Sequence, residues 1–60
     1  MTAGQKKAIK RICIEYDFEN LKELRQYIKD VFDDPFDLDV WSESEAGLYE
    51  EVTKMFKMME

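Results

Sequence analysis

Apolar and polar residues alternate along residues 9–18, and this stretch decides which fold the sequence predicts. Ile12, Ile14, Tyr16 and Phe18 are apolar, whereas the residues between them are mostly polar. Strict alternation is typical of a strand with one buried face. Branched and aromatic side chains also favour strands, because they pack well on a pleated surface. The pattern therefore predicts a first strand over residues 9–18, after a loose leader over residues 1–8.

A helix is the competing interpretation of the same stretch. Four apolar residues share one helix face at the spacing i, i+3, i+4 and i+7, namely Ile9, Ile12, Cys13 and Tyr16. Thr2 and Gln5 fit a capping box at the start of such a helix, although Gly4 between them opposes helix formation. The alternative fold is therefore a small all-α bundle with helices near 2–16, 21–32 and 45–59.

The next segment predicts an amphipathic helix over residues 21–32. Asn20 is a good N-cap, because its side-chain oxygen accepts a free backbone N–H group. Glu23 follows three residues later, as a capping box prefers. The apolar residues recur at helical spacing, and they are Leu21, Leu24, Ile28, Val31 and Phe32. The residue before Pro35 avoids the helical region, so the helix ends by Asp34.

Beyond Pro35 the alternation returns. Phe36, Leu38 and Val40 are separated by aspartates, which predicts a second strand over residues 36–41. A last apolar stripe predicts a helix over residues 45–59, and it consists of Leu48, Val52, Met55, Phe56 and Met59. Met58 lies off that stripe and is expected to be exposed.

The predicted order is β-α-β-α, a unit that is normally parallel with a right-handed crossover. Parallel sheets are normally covered on both faces and belong to larger domains. Residues 9–60 therefore read as one half of an α/β domain.

Two segments resemble the start of bacterial and archaeal TIR-like domains, the group that includes the TIR-like sensors of Thoeris antiphage defence. They are residues 11–20, Arg-Ile-Cys-Ile-Glu-Tyr-Asp-Phe-Glu-Asn, and residues 35–42, Pro-Phe-Asp-Leu-Asp-Val-Trp-Ser. The resemblance implies a flavodoxin-like parallel sheet and covers the first half of the family's domain. Val40 departs from the family pattern, because many relatives place an acid there. The part of the domain that carries the catalytic glutamate of NAD-cleaving TIR enzymes is not matched, so the resemblance implies a chain that is not an enzyme.

In such a sheet, ligands bind outside the carboxyl ends of the strands. The resemblance places two loops there, which makes ten residues candidates for ligand or partner binding. They are Tyr16, Asp17, Phe18, Glu19, Asn20, Trp41, Ser42, Glu43, Ser44 and Gly47. Trp41 fits an interface anchor or a cap on the core equally well.

Charge is distributed unevenly along the 60 residues, whose formal net charge is −5. Residues 1–11 carry four bases and no acid, a net charge of +4, whereas residues 12–60 carry five bases and fourteen acids, a net charge of −9. An acidic body repels nucleic acid, whose phosphates need Lys and Arg. Asp33, Asp34, Asp37 and Asp39 lack the turn glycine and terminal glutamate of a calcium loop, so we interpret them as solvated acids.

The chain has one cysteine and no histidine, which excludes an internal disulfide and does not favour a zinc site. Cys13 lies in an apolar run and is expected to be a small buried hydrophobe. The sequence predicts no metal and no cofactor. It contains no signal peptide or membrane-spanning run, so we expect a cytoplasmic protein that does not bind membranes.

Three functions are compatible with these features. The first is a non-catalytic TIR-like interaction module that acts by self-association, as a homo-oligomer, or by binding a partner protein. The second is a small acidic inhibitor or nucleic-acid mimic. The third is a module that binds an NAD derivative in a site completed by dimerisation.

Overall fold

The computed structural model describes residues 1–58 and consists of three α-helices. These are α1 (Ala3–Tyr16), α2 (Leu21–Phe32) and α3 (Glu45–Lys57), with a single 3-10 turn, Leu38–Val40, between α2 and α3. Residues 1–58 contain no strand. The predicted α/β fold, a β-α-β-α half of a flavodoxin-like parallel sheet, is therefore wrong. The alternative, a small three-helix bundle, is confirmed.

Helix α1 replaces the predicted first strand over residues 9–18. Ile9, Ile12 and Cys13 are buried, as one face of a helix requires, whereas Ile14 is 74% exposed. A strand would have placed Ile12 and Ile14 on the same face. The alternation of apolar and polar residues therefore does not reflect a strand, and burial in this segment follows the helical period.

The start of α1 explains why residues 3–8 are helical rather than a loose leader. Thr2 is the N-cap: its Oγ1 accepts a hydrogen bond from the Gln5 N–H at 3.1 Å, and the Gln5 Oε1 accepts one from the Thr2 N–H at 2.9 Å. This capping box satisfies two backbone donors that a helix start otherwise leaves free. Gly4 has a packing role here, because an added Cβ would lie 2.6 Å from the Glu43 carbonyl oxygen.

Helix α2 has the predicted bounds. The Asn20 Oδ1 accepts a hydrogen bond from the Glu23 N–H at 3.1 Å, which confirms the N-cap. The reciprocal bond differs from the expected one, because the Glu23 carboxylate accepts from the Glu19 N–H at 2.7 Å. Asp33 follows the helix in the left-handed region, with a φ of 53°. The helix therefore stops before the segment that leads to Pro35.

The second predicted strand, over residues 36–41, is also wrong. Phe36 and Leu38 are buried, as the alternation predicted, but Val40 is 79% exposed. An extended segment needs a neighbouring strand to pair its backbone groups. Here the Leu38 carbonyl instead accepts a hydrogen bond from the Gln5 side-chain amide at 2.9 Å, and the chain closes into a 3-10 turn.

The core lies between α1 and the other two helices, and α1 packs mainly against α3. Phe56 of α3 is buried and is surrounded by four aromatic rings whose centroids lie 4.6–6.2 Å away, those of Tyr16, Phe18, Tyr27 and Phe32. This cluster ties α2 and the α1–α2 connection to α3. Met55 is partly buried against the core and Met58 is 80% exposed, as predicted. Met59 lies outside the described residues.

Candidate functional site

The first predicted set of site residues, residues 16–20, connects α1 to α2. The Tyr16 and Phe18 rings lie 4.6 and 6.2 Å from the Phe56 ring, so they contribute to the core. Asp17 adopts the left-handed conformation that ends α1, with a φ of 62°. Together with the N-cap role of Asn20, these contacts show that most residues of the connection pack in the core or cap a helix.

The second predicted set surrounds the start of α3. Ser44 is the N-cap, because its Oγ accepts a hydrogen bond from the Gly47 N–H at 3.0 Å. The Ser42 Oγ lies 2.9 Å from the Ser44 Oγ and accepts from the Ser44 N–H at 3.2 Å. The Glu43 carbonyl accepts from the Thr2 hydroxyl at 3.0 Å. This turn is thus fastened to the N-terminus of α1.

The structure does not bring the two sets together. Residues 16–20 follow the C-terminal end of α1, whereas Glu43 contacts its N-terminal end. The 14 residues of α1 correspond to a length of about 21 Å, which separates the two sets. No sheet edge in residues 1–58 joins them, so a shared ligand site loses its geometric basis, and a role of either set in binding stays a prediction.

One charged surface does stand out in the structure, and we call it the acidic strap, residues 33–45. It joins α2 to α3 and carries six carboxylates and no base, the acids being Asp33, Asp34, Asp37, Asp39, Glu43 and Glu45. All of them are exposed except Glu45, which is half-buried. Carboxylates concentrated in one exposed segment create a negative field that attracts cationic surfaces.

Two hydrogen bonds fasten the acidic strap to the N-terminus of α1, and a third lies within the strap. Gln5 and Thr2 of the α1 N-terminus bond to the carbonyls of Leu38 and Glu43. Within the strap, the Asp37 carboxylate accepts from the Asp39 N–H at 3.0 Å. The strap is therefore a preorganised loop, not a free tail.

An apolar tip projects from the middle of the strap. Val40 is 79% exposed. The neighbouring Trp41 is half-buried, and its ring centroid lies 5.4 Å from that of Phe36. Trp41 therefore covers the edge of the core and also borders the exposed Val40.

Sequence reasoning missed a basic groove, which we call the α2 groove. It has a volume of about 480 Å³ and is lined by Leu21, Lys22, Arg25, Gln26, Lys29, Pro35 and Phe36. Lys22, Arg25 and Lys29 stand at i, i+3 and i+7 along one helix face, a spacing that was readable in the sequence. The lining contains three cations and no acid.

A second groove adjoins the first, because Leu21 lines both. It has a volume of about 370 Å³, and its apolar lining includes Ile9, Cys13, Ile14 and Phe18. Lys6 and Lys10 contribute further positive charge. We call it the α1 groove. The face formed by α1 and α2 is therefore apolar at its floor and mainly cationic at its edges.

The chemistry of the two perturbed side chains does not favour nucleophilic catalysis. Burial raises the pKa of the Cys13 thiol, and the Glu23 carboxylate adds to the rise. The hydrogen bond that the Tyr49 hydroxyl donates to Glu15 raises the pKa of Tyr49, while the Arg11 guanidinium lies 4.0 Å from the centre of the Tyr49 ring. Both groups hold their protons at neutral pH, whereas a nucleophilic cysteine requires a lowered pKa.

Within residues 1–58 no group of three or more His, Cys, Asp or Glu side chains is placed to hold a metal ion. None of the helices in this part of the chain is both long enough and apolar enough to cross a membrane. No family model, no curated protein and no solved structure matches this chain.

Proposed function

We propose that this chain is a small non-catalytic protein-binding module of the acidic-inhibitor class, which binds a basic surface of another protein through the acidic strap. The observation that carries the proposal is the exposed Val40 at the middle of a hydrogen-bonded strap that has six carboxylates and no base. Contiguous apolar patches with a polar rim are typical of protein interfaces, and Val40 adjoins the half-buried Trp41.

The charge of the strap and its rigidity have separate effects on binding. Carboxylates accelerate encounter with a cationic partner and discriminate against acidic ones. The three hydrogen bonds of the strap reduce the entropy that would be lost if a flexible loop had to become ordered on binding. Val40, together with the ring of Trp41, then provides the apolar anchor that charge alone does not.

Capture by the immobilised chain, with a matched pair of charge variants, tests the proposal. In the strap variant, Asp39→Lys/Glu43→Lys, both substituted side chains are exposed. The control, Glu50→Lys/Glu51→Lys, makes the same change in charge at exposed positions on α3, outside the strap. We expect a specific partner to be captured by the wild type and the control but lost with the strap variant and weakened by Val40→Ser.

Competition with double-stranded DNA then identifies the kind of partner. A partner that DNA displaces uses the same basic site for phosphates, which is the nucleic-acid-mimic form of the proposal. A partner that DNA does not displace binds the strap through another basic surface. Capture that is equal for the strap variant and the control, or that is insensitive to salt, refutes the proposal, because screening weakens exposed charge pairs.

A further inference from the structure

We infer that the α2 groove receives the tip of the acidic strap from a second copy of this chain. Two copies then associate through two reciprocal contacts, each placing Val40 and its flanking carboxylates in the partner's groove. The site is an interaction surface, and its occupant is a segment of the same protein.

Charge complementarity is the first argument. The α2 groove offers three cations and no acid, and the part of the strap beyond Phe36, which lies outside the groove, offers four acids and no base, namely Asp37, Asp39, Glu43 and Glu45. Opposite charges in contact at an interface contribute to orientation and to the rate of association. A formal net charge of −5 opposes a random encounter of two copies, so an orientation that pairs the strap with the cationic groove is favoured over a random one.

The apolar parts of the two surfaces are also complementary. Leu21, Pro35 and Phe36 provide the apolar lining of the α2 groove, while Val40 projects with 79% of its surface exposed. Apolar anchors that enter a groove surrounded by polar groups are typical of the centres of protein interfaces.

The position of the strap explains why the contact forms between copies and not within one. Phe36 lines the groove, and Asp37, the next residue, belongs to the part of the strap that continues toward the α1 N-terminus. The hydrogen bond from Gln5 to the Leu38 carbonyl holds the tip there. Val40 therefore stays exposed in its own molecule and does not line its own groove.

Because groove and strap are neighbours on one molecule, a two-fold axis between two copies can place each strap on the other's groove. Such an isologous contact is self-complementary and closed, so it produces a dimer and not a filament. The dimer covers the strap that the proposed function assigns to partner binding. This regulatory consequence rests on the proposed function, whereas the association itself does not.

Sedimentation equilibrium of the purified chain without any partner tests the inference. We expect a monomer–dimer equilibrium over concentrations from about 10 μM to about 1 mM, with the dissociation constant increasing at least tenfold between low salt and about 0.3 M salt because of screening. A wild-type chain that stays monomeric over this range at low salt overturns the inference, whatever the outcome of the capture experiment.

Charge-reversal variants locate the contact. The groove variant is Lys22→Glu/Arg25→Glu, and its control is Lys7→Glu/Lys54→Glu, which makes an equal change at exposed positions outside both grooves. The strap variant, Asp39→Lys/Glu43→Lys, is compared with the α3 control described above. We expect each of the two variants alone to weaken dimerisation at least tenfold, and each control to leave it within about twofold.

Mixing the groove variant with the strap variant gives the decisive result. In the mixed dimer one contact is native, and in the other the charges at the substituted positions of strap and groove are exchanged, so the substituted side chains attract one another there. We expect dimers to reappear in the mixture, while circular dichroism shows that every variant remains helical. A mixture that stays monomeric, or a groove variant that dimerises as well as its control, overturns the inference. If the groove variant does not fold, the dimerisation of Val40→Ser is measured instead, since a substitution at an exposed residue leaves the fold intact. We expect Val40→Ser to dimerise more weakly than the wild type, and equal dimerisation overturns the inference.

Discussion

Ile12 and Ile14 make opposite predictions for the two folds that the sequence allows. In the bundle Ile12 is fully buried in α1, whereas Ile14 is 74% exposed. In a strand with one buried face, both side chains would lie in the core. Substituting each isoleucine by alanine therefore measures which period the chain follows.

The magnitudes follow from burial. Ile→Ala removes three carbons, and a buried CH₂ contributes about 0.8 kcal/mol. Adding the cavity left behind gives a loss of about 2–5 kcal/mol for Ile12→Ala. A chain of 60 residues has a free energy of unfolding of about 3–9 kcal/mol, so this variant loses a large fraction of its stability. At Ile14 we expect a change of within about 0.5 kcal/mol, because little surface is uncovered and alanine favours the helix.

Urea unfolding followed by circular dichroism measures both changes. The free energy of unfolding of a small domain falls by about 1 kcal/mol per molar urea, so Ile12→Ala lowers the midpoint of the urea transition by about 2–5 M. If that variant is unfolded in water, Ile12→Val, with an expected loss of about 0.5–1.5 kcal/mol, provides the measurable comparison. A loss at Ile14 as large as the loss at Ile12 would refute the helical assignment of α1.

Three further predictions test packing and protonation. Gly4→Ala should lower the free energy of unfolding by about 1–3 kcal/mol, because the new Cβ would lie 2.6 Å from the Glu43 carbonyl oxygen; a rise in melting temperature would contradict this close approach. Phe56→Leu should cost about 1–3 kcal/mol in urea unfolding through lost contacts with its four aromatic neighbours, and an unchanged midpoint would contradict their role. Burial raises the pKa of the Cys13 thiol, so its stabilising contribution is complete below the ordinary thiol pKa and is lost as pH rises through the folded-state pKa. The difference in unfolding free energy between the wild type and Cys13→Ala should therefore shrink at alkaline pH, and a constant difference would contradict it.

Helix α2 was predictable because its signals are local. Asn20 and Glu23 lie within one turn of each other, and the apolar stripe of α2 has only one period that fits. The start of α1 carried a similar local signal in Thr2 and Gln5. That signal was correct, although the alternation that follows it pointed to a strand.

The predicted strand over residues 36–41 shows what an alternating pattern does not determine. The alternation correctly predicted that Phe36 and Leu38 are buried and wrongly predicted the same for Val40. Burial of alternate residues requires only that the chain runs extended over the core, and a strand additionally requires a neighbour to pair with. The neighbour here is the Gln5 side chain, 33 residues away from Leu38 along the chain.

The candidate surfaces were likewise predictable in their residues but not in their arrangement. The six acids of the strap and the cations Lys22, Arg25 and Lys29 are evident from residue order and helical spacing alone. The groove itself is not evident from the sequence, because it forms only where Pro35 and Phe36 lie beside residues of α2.

The N-terminal caps of α1 and α2, the bounds of α2 and the charge of the strap follow from residue order, because each depends on residues within a few positions of one another. That residues 9–16 are helical and that Val40 projects into solvent depends on the packing of the whole chain. The same packing places the two predicted site loops at opposite ends of α1. These features depend on which distant surface each apolar face covers, and an apolar face has the same composition whether a helix or a sheet buries it.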